Sequence, residues 1–353
     1  MREQFRRLAA IDSGALPFLS VYLDVRPEAV GESPQRRDSL VMLRDRLRDI
    51  RKTLLPRGEG LDSFDTDAQR IQRFISGEMD PSTEGLAIFA CHGIGVWEAL
   101  EVATPFENQV TVASRPDLYQ LAKLEDEFET AIVGVIDTNT ARLYVWQYGA
   151  LVDAGGPDDA PDSYRKRAMG GWSQARYQRH IDKHRKQFAE EIAQALGDLV
   201  EREGATRVVL AGDEVAMTEL QHAMPQQLAA KVSGVFRIGI RADVEEIEAE
   251  AAPILAEAER QAGLSAAERA IAEVRQGDLG VAGVAPTARA LERGQVDTLV
   301  LDEARVGPVE RKELVRLAAE TDARVEVVRD AGELAEFEGV AGLLRYRLPA
   351  GVA

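Results

Sequence analysis

Short apolar runs rich in β-branched residues alternate along this chain with longer segments of helical period, which limits the fold to the α/β class. Residues 130–137 (TAIVGVID) and 141–148 (ARLYVWQY) predict two strands joined by a tight turn at Thr138 and Asn139. Residues 207–213 (RVVLAGD) predict a buried strand that ends at Gly212 and Asp213, as strands of α/β sheets do. The middle of the chain therefore predicts an α/β domain.

The N-terminal part predicts a separate α/β domain. Residues 18–27 (FLSVYLDVRP) alternate as a strand does and end at Pro27, and residues 39–55 predict an amphipathic helix. A second amphipathic stretch around 67–77 precedes an apolar run at 86–90, which predicts a buried strand. This pattern ends near residue 125.

The C-terminal part begins with an acidic helical segment, from Asp243 to about Gln276. A charge run of this kind is typical of a solvated helix face, and here it also joins two domains. Strand-like runs at 295–304, 323–330 and 339–348 and a helical stretch at 309–320 follow. With 353 residues, the chain has room for three domains, which we place at 1–127, 128–275 and 276–353.

The cysteine content and the apolar runs bear on location. Cys91 is the single cysteine, so it forms no internal disulfide, and we expect it to be a core residue in a reducing compartment. No apolar block of signal-peptide length precedes Asp12, and the longest uncharged apolar run, residues 87–97, is too short to span a bilayer. We expect a cytoplasmic protein without a membrane partner, and the sequence indicates no cofactor and no metal site.

Residues 165–187 (RKRAMGGWSQARYQRHIDKHRKQ) reverse the sign of the charge. They contain eight Lys and Arg against one Asp, whereas the whole chain carries a formal net charge of −17. Exposed charges more than about 8–10 Å apart are largely screened at physiological salt, so a local basic face can bind a polyanion even on an acidic protein. This segment is therefore the candidate for RNA contact.

The order of residues in the segment predicts a close-approach loop followed by a cationic helix. Gly170 and Gly171 free the backbone from Cβ restrictions, and Ser173 is suited to cap a helix. Arg176, Arg179, Lys183 and Lys186 then form one basic stripe, opposite an apolar face made by Tyr177, Ile181, Phe188, Ile192, Leu196 and Leu199. A base could stack on Trp172 or Tyr177. We predict that the residues in contact with RNA are Arg165, Lys166, Arg167, Ser173, Arg176, Tyr177, Arg179, Lys183, Arg185 and Lys186.

Other interpretations of these residues stay open at this point. The basic helix could only form internal salt bridges with the acidic residues 243–259, and such pairs contribute little. His180 and His184 have the i, i+4 spacing of metal ligands but lack a third ligand nearby. Asp137 and Asp213, at two strand ends, could form a carboxylate pair for Mg²⁺-dependent nuclease chemistry, although such residues are more often parts of turns.

The segment GGWSQARYQRH resembles the Gly-Gly-Gln loop and the following helix start of archaeal and eukaryotic class-1 peptide release factors. It matches that pattern at Gly170, Gly171, Ser173, Arg176, Tyr177 and Arg179. Residues 280–304, 323–328 and 339–346 look like the third domain of the same superfamily, in its release-factor and pelota branches. The opening SVYLDVRP is similar to bacterial members, which include Balon-like proteins. The resemblance implies a divergent α/β N-terminal domain, an RNase H-like middle domain and a kink-turn-binding-protein-like α/β/α C-terminal domain.

In these release factors the loop enters the peptidyl transferase centre, where a backbone N–H and a positioned water favour hydrolysis of the peptidyl-tRNA ester. The residues that the resemblance assigns to this chemistry are Gly170, Gly171, Trp172 and Gln174. Trp172 stands where the family has Gln, and Gln174 is the nearest Gln. The N-terminal part also lacks an Asn-Ile-Lys-Ser motif, so we do not expect stop-codon specificity.

Two functions follow from the resemblance. The first is a ribosome-associated factor that binds ribosomal RNA at the A site of stalled or idle ribosomes, for rescue or hibernation, with a translational GTPase such as EF-Tu as a further partner. The second is a peptidyl-tRNA hydrolase that releases nascent chains through the Gly170–Gln174 loop. A non-ribosomal scaffold is the third hypothesis.

Overall fold

The computed structural model describes residues 2–27, 34–54, 58–157 and 174–347, and of residues 2–3 and 174–182 it describes the helical backbone alone. The chain forms two structural units, Met1–Asp126 with Arg260–Ala353, and Glu127–Glu259. The described residues form three sheets with helices, in agreement with the predicted α/β class. Within these ranges no helix is long and apolar enough to cross a membrane.

The N-terminal part of the first unit is built on an antiparallel sheet of order β3-β2-β1-β4. Its strands are β1 (Phe18–Asp24), β2 (Gly85–Cys91), β3 (Val96–Val102) and β4 (Gln109–Ala113). Its helices are α1 (Arg2–Ala9), α2 (Pro34–Thr53), α3 (Glu59–Gly77) and α4 (Tyr119–Glu127), and a short 3₁₀ turn covers His92–Ile94. Helices α2 and α3 cover one face of the sheet. Cys91 is a buried free thiol, which confirms that it is a core residue.

Strand β1, which the alternating pattern predicted, is buried on both faces. Leu19, Val21 and Leu23 pack on the side of α2 and α3. Tyr22 is fully buried on the other side, and its hydroxyl donates to the carbonyl of Asp117 at 2.7 Å. A tyrosine tolerates burial when its hydroxyl has a partner, and this partner is far away in the sequence. The pattern of β1 alone could not show it.

The second unit is built on a five-stranded sheet of order β7-β6-β5-β8-β9. Its strands are β5 (Ala131–Ile136), β6 (Ala141–Gln147), β7 (Ala150–Gly155), β8 (Arg207–Gly212) and β9 (Val232–Phe236). Strands β5, β6 and β7 form an antiparallel meander, and β8 is parallel to both β5 and β9. The predicted strand pair and the strand at 207–213 are confirmed, and β7 adds a strand where the sequence analysis placed none.

The helices of this region are α5 (Gln174–Glu203), α6 (Glu214–Ala223), α7 (Gln226–Ala229) and α8 (Val244–Gln276). The helix predicted to follow Ser173 and the acidic helix predicted from Asp243 to about Gln276 are therefore confirmed as α5 and α8. Alternate residues along the strands face opposite sides of the sheet and belong to two different cores of the unit. Ile132 and Leu210 face α5 and α6, whereas Val133 and Val209 face the N-terminal half of α8.

The C-terminal part of the first unit has a mixed sheet of order β10-β13-β11-β12. Its strands are β10 (Gly280–Ala282), β11 (Val296–Asp302), β12 (Arg324–Val328) and β13 (Val340–Leu344), and its helices are α9 (Val284–Glu292) and α10 (Pro308–Glu320). Strands β11 and β12 are parallel and the other pairs antiparallel. Helix α10 contacts α9 and the N-terminal α1, so the two ends of the chain pack within one unit.

Candidate functional site

Helix α5 carries the basic residues, and its second half is anchored on the sheet of the second unit. Phe188, Ile192 and Leu196 are at most 4% exposed and pack against Ile132 and Leu210. Burial of each such side chain contributes about 1.5–3 kcal/mol, so this half of the helix is held firmly. The predicted apolar face is confirmed from Phe188 to Leu199. Tyr177 and Ile181 lie on the part of the helix whose side chains are outside the description.

The first turns of α5 project beyond the sheet. After Glu203 the chain turns at Gly204, with φ +64°, into β8, so α5 runs opposite to β8 and to the parallel β5. Arg185 and Phe188 lie beside Asp137 and Thr138, at the carboxyl end of β5. A helix rises ~1.5 Å per residue, so the turns from Gln174 to Arg185 extend ~16 Å past that edge.

Three predicted RNA-contact residues fall on described side chains. Lys183 and Lys186 are exposed, and Arg185 is half-buried at the sheet edge. None of the three forms an ion pair with a carboxylate in the described part of the chain. Within that part of the chain, no carboxylate neutralises their charges.

The remaining predicted site residues are less completely described. Gln174 is the first residue of α5, as expected for a residue in the first helical turn, and Arg176, Tyr177 and Arg179 follow on the same helical backbone. Residues outside the described ranges are Arg165, Lys166, Arg167, Gly170, Gly171, Trp172 and Ser173. The described chain reaches this stretch from Pro157, whose carbonyl accepts the N–H of Ala141 at 2.9 Å, beside the carboxyl end of β5.

The acidic helix lies on the opposite face of the sheet from α5. Ile247, Ala251 and Leu255 of α8 pack against β-strand residues such as Val133, on the face turned away from α5. The sheet therefore lies between the second half of α5 and the part of α8 from Ile247 to Leu255. Neither lysine forms an ion pair with the acidic helix among the described residues, whereas the same alternative for Arg176 and Arg179 falls on side chains outside the description.

Arg142 helps to hold this arrangement, and sequence reasoning missed it. Its guanidinium donates from Nη1 to the carbonyl oxygens of Ile240 and Ala242, at 3.1 and 2.8 Å. These bonds tie β6 to the segment that leads into α8. No sequence signal could have found them, because the acceptors are backbone carbonyls some 100 residues away that any residue would provide.

Asp137 and Asp213 are occupied by local backbone bonds. Asp137 Oδ1 accepts the N–H groups of Asn139 and Thr140 at 2.7 and 2.8 Å, and Asp213 Oδ1 accepts that of Val215 at 2.9 Å. Asp137 therefore forms a turn and Asp213 caps α6, which supports the turn interpretation over the nuclease one. Among the described side chains, no cluster of three potential metal ligands includes Asp137, Asp213 or His184. The side chain of His180 is outside the description.

Comparisons with known proteins find similarity to release factors in the middle of the chain. Residues 116–263 match the family model described as bacterial archaeo-eukaryotic release factor family 10. That range contains the second unit and the basic segment. The resemblance to the release-factor family, in a bacterial branch, is confirmed for this part of the chain.

The chain is also similar to individual proteins. The uncharacterized protein Rv2629 of Mycobacterium tuberculosis is 25% identical over 98% of this chain and 96% of its own length. Peptide chain release factor subunit 1 of Aeropyrum pernix is 30% identical over 52% of each chain. Among solved structures, an archaeal Pelota from a ribosome-bound model aligns over 99% of this chain and 95% of its own, with 13% identity and a TM-score of 0.45.

Proposed function

Starting from the match of residues 116–263 to a bacterial release-factor family, we propose that this protein is a ribosome-associated translation factor that binds the A site of stalled or idle ribosomes. In this proposal it acts in rescue or hibernation without stop-codon specificity, and a translational GTPase such as EF-Tu is a partner. The proposal keeps the three domains at 1–127, 128–275 and 276–353, with the RNase H-like and kink-turn-binding-protein-like assignments.

One observation carries the proposal. Lys183 and Lys186 are exposed and unpaired among described residues, on a helix that projects ~16 Å beyond its sheet, and the acidic helix lies on the other face. This geometry presents positive charge away from the acidic surface that would repel RNA. Phosphates contacted by Lys and Arg position a protein on RNA and make binding depend on salt.

Cosedimentation with ribosomes over a range of KCl concentrations tests RNA contact. We expect Lys183→Ala with Lys186→Ala to weaken cosedimentation and to lower the salt slope by about one for each phosphate that the variant no longer neutralises. Arg176→Ala with Arg179→Ala should act in the same way. The matched control is Arg44→Gln with Arg46→Gln, two exposed cations of α2. If the control loses as much binding as the α5 pairs, net charge rather than this helix governs binding.

Peptidyl-tRNA hydrolysis is the second candidate, favoured by the position of Gln174 at the start of α5. A release assay on ribosomes loaded with peptidyl-tRNA separates the two functions. Binding without release supports the A-site factor. Rapid release that is lost in Gln174→Ala identifies a hydrolase, and absence of cosedimentation at low salt favours the non-ribosomal scaffold.

A further inference from the structure

A cleft of about 570 Å³ opens on the second unit, far along α5 from the basic segment. One wall is the second half of α5, and the other is formed by residues 223–231, around α7. Buried small and apolar side chains form its floor, namely Ala193, Ala205 and Leu228. Its volume is in the range of pockets that hold drug-sized molecules or short peptide segments.

The exposed rim of the cleft is negative. Glu190, Asp198 and Glu201 lie on the α5 wall, are exposed, and have no cationic partner among the described residues. The lining includes one cation, Lys231, whose ammonium donates to the carbonyl of Ala205 at 2.6 Å. Glu190 and Glu201 are eleven residues apart on the helix, so the carboxylates extend over ~16 Å along the cleft.

Gly197 keeps the middle of the cleft open. It lies inside α5, where glycine is less favourable than alanine. A Cβ added at this position would meet no atom within 4 Å, and Gly197 does not adopt a positive φ. The fold of the described unit therefore does not require glycine here, and the missing side chain leaves this part of the cleft wall open.

We propose that this cleft binds a short Lys/Arg-rich segment of a protein partner. Lysine and arginine side chains place their aliphatic stems on apolar surface and their charged heads near carboxylates, which matches the apolar floor and the acidic rim. Gly197 is 23 residues from Gln174, or ~35 Å along the helix. Binding here leaves the start of α5 free, so this inference does not rest on the proposed function.

Fluorescence anisotropy with a labelled (Lys-Ala)₅ peptide and the full chain tests the proposal, with (Gln-Ala)₅ as the uncharged comparison. We expect the basic peptide to bind preferentially. Gly197→Trp should abolish binding by filling the cleft, and Asp198→Asn with Glu201→Gln should weaken it about fivefold, as expected for two partly exposed ion pairs.

Two control variants keep the test decisive. Gly197→Ala should bind like the wild type, so a loss confined to Gly197→Trp reports occupation of the cleft. Glu245→Gln with Glu250→Gln removes the same charge from α8, on the opposite face of the sheet, and should change affinity less than twofold.

Three results would overturn the proposal. They are equal weakening by the α5 and α8 pairs, unchanged binding in a folded Gly197→Trp variant, and self-association of the wild type in sedimentation velocity that Gly197→Trp abolishes. The last result would make a second copy of this chain the occupant.

Discussion

At the scale of single residues, Gly212 shows how closely two strands meet at the edge below the projecting helix. It ends β8 with φ +132°, and an added Cβ would lie 1.8 Å from the carbonyl oxygen of Ile136 on β5. That oxygen accepts the N–H of Asp213 at 3.1 Å, so neither backbone can move away without loss of the bond. Glycine is required here by conformation and by space.

We predict that Gly212→Ala lowers the free energy of unfolding by about 2 kcal/mol or more, because a positive φ and a backbone clash add. Gly197→Ala is the matched control and should raise it by about 0.5–1 kcal/mol, since its Cβ enters open space in a helix. Urea unfolding followed by circular dichroism measures both. Equal effects of the two changes would contradict this account of Gly212.

Asp67 is a carboxylate buried at 2% exposure in α3. Its Oδ2 accepts the N–H of His92 at 2.8 Å, which holds the 3₁₀ turn after β2. Burial raises the pKa of Asp67 above its ordinary value, and outweighs the lowering effect of the bond from His92. The folded state therefore favours the protonated form of this side chain.

The raised pKa gives a prediction with a definite sign. The protonated form of Asp67 stabilises the fold. This stabilisation is fully present below the unfolded-state pKa, near 3.8, and is lost as the pH rises through the higher folded-state pKa. Asp67→Asn keeps an acceptor for His92 without a charge. It should therefore raise Tm relative to the wild type more at about pH 7 than at about pH 3.5. Asp198→Asn, at an exposed carboxylate, should show no such difference between the two pH values.

At the scale of elements, Glu303 joins the N-terminal and C-terminal parts of the first unit. Its Oε1 accepts from Lys123 Nζ at 2.7 Å and from Tyr119 Oη at 3.0 Å, both on α4. Its Oε2 accepts from Arg329 Nε at 3.0 Å, after β12. Burial would raise the pKa of Glu303, but the bonds from Lys123, Arg329 and Tyr119 together with the charge of Lys123 bring it below its ordinary value.

We predict that Glu303→Gln destabilises the protein by about 1–3 kcal/mol at pH 7, because partly buried cations lose their charged partner. A lowered folded-state pKa stabilises the fold above the unfolded-state pKa, and this stability is lost as the pH falls through the folded-state value. The difference in stability between the wild type and the variant should therefore become smaller below about pH 4.5, the ordinary pKa of Glu. Thermal unfolding across pH measures it.

Glu336→Gln is the control for this prediction. Glu336 lies 4.0 Å from Arg275, and both side chains are mostly exposed, so the change should cost at most about 0.5 kcal/mol at any pH. A loss of stability in Glu303→Gln that does not change with pH would mean that packing rather than charge explains the effect of this substitution.

At the scale of the whole molecule, the two units differ in how they are built along the chain. Residues 127–259 are continuous and have an apolar core on each face of their sheet. The first unit combines the two ends of the chain, through the contact of α1 with α10 and through Glu303. Folding of its N-terminal part therefore depends on residues far away in the sequence.

We predict that a fragment of residues 127–259 unfolds in one cooperative transition, because both of its cores are internal. A fragment of residues 1–126 should be less stable than the same residues in the full chain, since it lacks α10 and Glu303. Hydrogen exchange of the β1 amides, compared between fragment and full chain, measures the difference. Equal protection of β1 in both would show that the C-terminal part adds nothing to the N-terminal part.

The sequence determined the α/β class, most of the strands and the start and end of α5 and α8, because these features rest on local period and on turn residues. The strand at 207–213 and the helix that ends before Gly204 are examples. It also determined where positive charge accumulates, and the motif from Gly170 to Arg179 indicated the family.

The tertiary structure decided what the charge can do. Whether α5 and α8 share a face of the sheet depends on the path of the crossovers, and local period cannot show that path. Burial of Phe188 on one face and of Ile247 on the other places the sheet between the basic and the acidic helix. For the same reason, the acidic cleft around Gly197 could not be predicted, because residues 190–201 and 223–231 form it only after α5 packs on β8.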